Sequence, residues 1–150
     1  MTSPSGGDAY RLLRPIGSGG MGRVYEAWDV RLERRVAVKF LHTQFTTDAE
    51  STARIEHEAR NAAQVEHPNV VRIYHIQTIE GRLAIEMQFI DGMPLHGLLE
   101  AGSLTPAMAA WVLRQVLEAL LACHAHGIIH CDLKPGNLLI TREGHVYLTD

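Results

Sequence analysis

The 150-residue chain has only two cysteines, Cys123 and Cys131. Two are too few for a disulfide framework, so a reducing cytoplasm is the expected setting. Long apolar runs are missing as well. Each breaks within a few residues, and no bilayer-spanning segment is expected. The opening MTSPSGGDAY has no basic region and no apolar stretch, so no signal peptide is expected, and residues 1–9 read as a flexible Ser/Gly/Pro tail. Positive charge is not in excess. The formal net charge of −3 argues against a protein that coats nucleic acid. No internal repeat is present. There are nine histidines, but no H-E-x-x-H and no cysteine pair accompanies His124, His126 and His130. These three are therefore expected to pack and hydrogen-bond at a helix end. What remains, 46% hydrophobic and 21% charged, suits a globular domain with a real core.

Along the chain, YRLLRPIG, RVYEAWD and RRVAVKFL read as strands, the first two joined by the Gly-rich GSGGMG into a hairpin. Residues 48–65 carry Ile55, Ala59, Ala62 and Ala63 at helical spacing, with Thr47 and Glu50 as a capping box, and His67-Pro68-Asn69 ends that helix. VVRIYHIQ and RLAIEMQFI are two further strands around the Glu80-Gly81 turn. Residues 91–97 read as a connector. Thr105-Pro106 opens a long helix in which Val112, Val116, Leu117, Leu120, Leu121 and His124 are expected to share the buried face, with Gly127 closing it. LLIT and HVYL then form a short hairpin.

Two stretches carry chemistry. Gly17, Gly19 and Gly22 make G-x-G-x-x-G, a weak signal alone because dinucleotide-binding folds share it. There a helix follows the last glycine, whereas here Arg23-Val24-Tyr25 favours a strand. A Gly-rich turn over a ligand's phosphates fits better, since glycines let backbone N–H groups approach an anion; a plain hairpin turn is the bland alternative. Lys39 lies inside an apolar strand, where a charge needs a partner or ligand unless it snorkels from an edge. Glu58 is the favoured partner, Glu56 its main rival, and Glu50 is worse placed. The second stretch is HCDLKPGN, residues 130–137, where His, Asp, Lys and Asn crowd a loop that Pro135 and Gly136 keep from becoming helix.

In order and spacing these stretches resemble the eukaryotic-like Ser/Thr protein kinases, especially their bacterial branch. G-x-G-x-x-G-x-V is Gly17 to Val24, V-A-I-K is Val36-Ala37-Val38-Lys39, and H-R-D-L-x-x-x-N is His130 to Asn137. Asp150 stands behind HVYL, where the family has the Asp of D-F-G. The resemblance covers residues 10–150. It implies an ATP-dependent Ser/Thr protein kinase that phosphorylates protein hydroxyls, in the cytoplasm, with no nucleic-acid partner. The glycine loop would cover the phosphates. Lys39 would hold the α/β-phosphates and pair with Glu58. Asp132 would orient the substrate hydroxyl and accept its proton, Lys134 would contact the γ-phosphate, and Asn137 and Asp150 would hold Mg²⁺. Ile16, Val24, Ala37 and Leu139 would sandwich the adenine, with Met87 as gatekeeper and the backbone of Gln88 to Ile90 at its edge. The implied fold class is α+β: a complete small lobe over 10–92, five antiparallel strands and one helix, then an incomplete, mainly helical large lobe over 93–150. ATP is expected at the lobe junction.

Two departures qualify those expectations. Cys131 occupies the position of the family's usual Arg, which pairs with a phosphate on the activation loop. A thiol has no charge to do so, and a non-RD kinase not switched mainly by loop phosphorylation is expected. A redox-active thiol beside His130 is the alternative. The Phe and Gly of D-F-G, the activation loop and A-P-E do not occur in the 150 residues. The chain alone is therefore expected to turn over no substrate and to expose apolar surface on its long helix. The other functional class left open is a non-catalytic nucleotide-binding or interaction module.

Overall fold

A computed structural model describes residues 7–102 and 104–150. Residues 1–6 of the expected tail lie outside the described residues. The chain divides into two compact units. One runs to Ala63 and resumes over Ile73–Phe89; the other comprises Gln64–Arg72 and Ile90–Asp150.

The first unit is built on a five-stranded sheet in the order β1 (Tyr10–Ser18), β2 (Gly22–Asp29), β3 (Arg34–Leu41), β5 (Arg82–Gln88), β4 (Ile73–Ile79). Every pairing is antiparallel. Pro15, which has no N–H to give a ladder, sits in the edge strand β1 beside one of its register shifts. Alternation along β2 and β3 puts Tyr25, Ala27, Val36, Val38 and Phe40 on one face, where they form a core with Tyr10, Ile79 and Ala84. Tyr25 and Phe40 meet edge to face at 5.9 Å. Helix α1 (Ala49–Ala62) is capped by Asp48, not by the predicted Thr47–Glu50 box. The Asp48 carboxylate accepts from the Ser51 N–H at 2.7 Å, and Thr47 only donates to that carboxylate. An ionised acceptor at a helix start answers both the open N–H groups and the dipole, so aspartate takes the cap.

One end of the core face carries a polar network. The Tyr10 hydroxyl donates to buried Glu86 at 2.6 Å and accepts from Gln77 at 2.6 Å, while Arg34 reaches Glu86 at 3.3 Å and lies over the Tyr74 ring. Burial first, and then Glu86, push the Tyr10 phenol above its ordinary value of 10.0. The folded state thus holds this proton more tightly than the unfolded chain. Its stabilisation is complete below the unfolded value and is lost as pH rises through the alkaline range. Tyr10→Phe is expected to cost about 1–3 kcal/mol, because buried Glu86 and half-buried Gln77 lose their shared partner. It should also flatten the alkaline fall in stability, as read by urea unfolding between neutral and alkaline pH. An unchanged alkaline fall in the variant would assign that sensitivity to another group.

The second unit is organised by the long helix α3 (Pro106–Ala125) and the three-stranded sheet β6 (Gly92–Pro94), β7 (Leu138–Thr141), β8 (Val146–Leu148). The predicted connector 91–97 is instead β6, paired with β7, followed by the short helix α2 (Leu95–Glu100). Gly92 allows that pairing: a Cβ there would stand 2.7 Å from the Ile140 carbonyl oxygen. Thr105 caps α3 with Pro106 at its first position, as predicted. At the other end Gly127, at φ +71°, gives its N–H to His124 O while Ile128 gives its own to Cys123 O, the paired bonds that close a helix in a left-handed residue. The buried face differs from prediction. Val112, Gln115, Val116, Ala119 and Cys123 are buried, while Leu117, Leu121 and His124 are exposed. At 20 residues α3 is long and apolar enough, by length and composition, to cross a membrane, although no such segment was predicted; buried core helices pass the same test, and α3 packs its Val112–Cys123 face against Leu138, Ile140, Val146 and Leu148. The predicted strand over 70–77 begins only at Ile73, because Val70 and Val71 join β8 instead.

Candidate functional site

The first unit gathers one set of candidate residues. In the ladder Val24 stands opposite Lys39 and Lys39 opposite Ile85; Ala37 stands opposite Glu26 and Met87. Directly paired residues share a face, so Val24, Ala37, Lys39 and Met87 lie on the sheet face opposite the Tyr25–Val38 core. Lys39 is buried. Gln88 ends β5, and Ile16 sits exposed at the β1 irregularity.

The turn between β1 and β2 is closed by Gly19 N–H donating to Gly22 O at 2.9 Å. Its glycines are not equivalent. A Cβ on Gly22 would meet Phe40 O at 2.3 Å, so that glycine is demanded by the close approach of β3. A Cβ on Gly19 would meet nothing within 4 Å, and one on Gly17 would touch Val24 only at ordinary contact distance. The fold does not require Gly19; a ligand approaching bare backbone N–H groups would.

The expected Lys39–Glu58 ion pair is not formed. Glu58 lies on the exposed side of α1, and its rival Glu56 pairs with Arg60 one turn on. The physical reason is local: α1 turns Ala59 inward and leaves Glu58 in water, where a carboxylate needs no partner.

The second unit gathers the other set in the loop from His130 to Asn137. Asn137 is buried, and its Nδ2 donates to Asp132 O at 2.9 Å and to Asp132 Oδ2 at 3.1 Å. Both partners are acceptors, which fixes the amide's orientation and leaves Oδ1 as the oxygen turned elsewhere. Lys134 Nζ donates to Asp132 Oδ2 at 2.6 Å. The Lys134 ammonium, and then Asn137, hold the Asp132 carboxyl below the usual carboxylate range. Asp132 is therefore an ionised, oriented acceptor at neutral pH, as a group that receives a hydroxyl's hydrogen bond must be.

His130 ties this loop to the strand behind it. Its Nε2 stands 2.9 Å from Thr149 O, which can only accept, so Nε2 carries the hydrogen; Nδ1 then accepts from the Asp132 N–H at 3.3 Å. Thr149 N–H donates to Asn137 O at 3.0 Å. Asp150 follows at φ +57°. Cys131 is exposed at φ +60°, while Cys123 is buried, and burial pushes its thiol up. Leu139, in β7, and Ile90 also belong to this unit.

Among the described residues no three His, Cys, Asp or Glu converge as a metal cluster. The donors present, the Asn137 carboxamide and the Asp132 and Asp150 carboxylates, are hard oxygen donors. They match Mg²⁺, which takes one or two protein oxygens and fills its shell with water and phosphate.

Sequence reasoning missed the polar knot that buried Asn69 and Gln115 form with half-buried His145 beside β8. A signal existed: Gln115 interrupts the apolar face between Val112 and Val116.

The chain is 44% identical over 142 residues to the serine/threonine-protein kinase PknD of Mycobacterium tuberculosis, covering 94% of this chain and 21% of PknD. It is 44% identical over 147 residues to PknA of the same species, covering 34% of that protein. The chain thus spans about a fifth to a third of these relatives. The crystal structure of the Mycobacterium tuberculosis PknI kinase domain superposes with a TM-score of 0.80 at 25% identity, covering 100% of this chain and 62% of that one. The α+β kinase fold expected from the sequence is therefore present, with the five-stranded sheet and α1 as its small-lobe elements. The protein kinase domain model matches residues 10–150, and the chain belongs to that family.

Proposed function

We propose that this chain carries the nucleotide-binding and phosphoryl-transfer residues of a Ser/Thr protein kinase that uses ATP with Mg²⁺. The observation that carries the reading is the Asp132 carboxylate, held ionised and aimed by Lys134 and Asn137 within a kinase-family chain. Phosphoryl transfer asks little covalent chemistry of the protein; it asks for positioning and for charge around the moving group. On this reading Asp132 orients the acceptor hydroxyl of a protein Ser or Thr and takes its proton. Lys134 faces the γ-phosphate, and Lys39 the α/β-phosphates. Asn137 Oδ1 and Asp150 would hold Mg²⁺, which screens phosphate charge when bound. Gly17, Gly19 and Gly22 cover the phosphates, and Ile16, Val24, Ala37, Met87, Gln88, Ile90 and Leu139 enclose the base. On this reading the small lobe with its hinge is residues 10–92 and the large lobe starts over 93–150, although Gln64–Arg72 and Ile90–Gly92 belong to the second compact unit. Cys131 offers no charge to a phosphorylated loop, which supports the non-RD type.

One observation favours a second reading, a nucleotide-binding module without turnover: Glu58 is in water and not on Lys39. Both readings are tested by titrating the 150-residue chain with a fluorescent ATP analogue, with and without Mg²⁺. Saturable, Mg²⁺-dependent binding that Lys39→Met weakens by about tenfold or more is expected, since a charge-assisted contact is worth about 1.5–3 kcal/mol. No binding would overturn both. Phosphorylation of a protein substrate by the chain alone, abolished by Asp132→Asn, would overturn the module reading and the expectation that the chain alone is inactive.

A further inference from the structure

Residues 64–72 lie in sequence between α1 and β4, yet they belong to the second unit. The cause is a polar knot in an apolar core. Asn69 and Gln115 are 4% and 3% exposed. Asn69 Nδ2 donates to Gln115 Oε1 at 2.9 Å and to Val146 O at 2.8 Å. Gln115 Oε1 also accepts from the Val146 N–H at 2.9 Å, and Gln115 Nε2 donates to Gly144 O at 2.9 Å. Trp111 Nε1 donates to the same carbonyl at 3.0 Å. His145 Nε2 lies 2.8 Å from Pro68 O and 3.3 Å from Asn69 Nδ2. The carbonyl can only accept, so Nε2 carries the hydrogen and donates to Pro68. Both Asn69 amide hydrogens then remain for Gln115 and Val146, and the knot is consistent.

The knot acts on the backbone of β8. One edge of β8 pairs with β7. The other is taken by the Asn69 segment: Leu148 N–H donates to Asn69 O at 2.7 Å, and Val71 N–H donates to Leu148 O at 2.9 Å. The next residue, Thr149, is held at both its backbone polar groups by Asn137 and His130 of the loop. Asp150 follows directly. A strand of only three residues, Val146–Leu148, has little ladder of its own. Fixing its outer edge with a buried carboxamide pair sets its register, since a slip would leave Asn69, Gln115 and Val146 N–H buried and unpaired.

We propose that Asn69 and Gln115 are positioning residues: they lock β8 and so deliver Asp150 in register beside Asp132 and Asn137. This rests on the reading of Asp150 as a Mg²⁺ ligand. The test is Gln115→Met, which keeps length and volume but removes both polar atoms, set beside Val116→Ala, which loosens the same helix without touching the knot. Residue-resolved hydrogen exchange of the full 150-residue chain should show protection at Val71, Val146 and Leu148 falling about tenfold further in Gln115→Met than in Val116→Ala at matched overall stability. Titration with Mn²⁺ in the presence of ATP should broaden the Asp150 and Asn137 amide signals of the unmodified chain, and Gln115→Met should need about tenfold more Mn²⁺ at Asp150. Equal behaviour of the two variants overturns the proposal, leaving a merely structural role. Should Gln115→Met not fold, the unmodified chain still decides: Val71, Val146 and Leu148 must exchange through one common opening, and independent opening of Val71 overturns the lock. Absence of Mn²⁺ broadening in the unmodified chain overturns the metal-ligand reading, and the positioning role with it, while the exchange data judge the lock by themselves.

Discussion

Gly22→Ala is expected to destabilise the chain by about 3 kcal/mol or more, while Gly19→Ala leaves its stability unchanged, though both glycines belong to one motif. The difference lies in what stands opposite. At Gly22 an added methyl would sit 2.3 Å from Phe40 O and 3.1 Å from Leu41 Cα. Both are backbone atoms of β3, held by its ladders to β2 and β5, and cannot rotate aside as a side chain would. The strands must part, and Phe40, a core residue, moves with its carbonyl. Total stabilities of about 5–15 kcal/mol make such a loss a large fraction of the whole. At Gly19 a methyl meets nothing within 4 Å, and its φ is not in the left-handed region, so neither packing nor backbone resists it. Urea unfolding of both variants measures the contrast. Gly19→Ala should instead weaken Mg·ATP binding, because the methyl occupies the approach to the backbone N–H groups. Equal stability of the two variants would mean that β2 and β3 pair less closely than the Gly22–Phe40 approach requires.

The second large effect concerns association. Leu113, Leu117 and Leu121 recur at four-residue spacing on α3 and are 61%, 59% and 68% exposed. Residues four apart stack on one side of a helix, so the three make a continuous apolar stripe in water. The unmodified chain is expected to self-associate at about 1–10 μM, which corresponds to about 7–8 kcal/mol of association free energy. The triple variant Leu113→Lys, Leu117→Lys, Leu121→Lys should remain monomeric to at least about tenfold higher concentration. Its helix should be kept, since Lys and Leu have nearly equal helix propensity and none of the three is a core residue. Sedimentation and thermal unfolding of both forms provide the check. A monomeric unmodified chain at the highest of these concentrations would show that the stripe does not drive association.

Much of the site was legible because its chemistry is local. The loop from His130 to Asn137 closes on itself: Asp132, Lys134 and Asn137 find one another within five residues of chain, so order and spacing sufficed to group them. The five antiparallel strands were equally readable, because runs of β-branched and aromatic residues bounded by turn signals mark a strand locally. The start and close of α3 at Thr105 and Gly127 followed from capping chemistry, which also resides in neighbouring residues.

The misreadings share one cause. Which face of α3 is buried could not be decided from periodicity, because apolar residues surround that helix, and the β7–β8 sheet selected Val112, Gln115, Val116, Ala119 and Cys123 over Leu117 and Leu121. Val70 and Val71 read as the start of β4 by composition, but the Asn69–Gln115 knot drew them to β8. Glu58 was favoured over Glu56 by its mid-helix position, and the rotation of α1 left it in water. The sequence by itself determined the five strands of the first unit, the two long helices, the caps of α3 and the grouping of Asp132, Lys134 and Asn137, since the forces that set them act over a few residues. Only the tertiary structure decided which apolar face was buried, which edge β8 shared and which glycine the sheet required, since each depends on atoms that the sequence places far away.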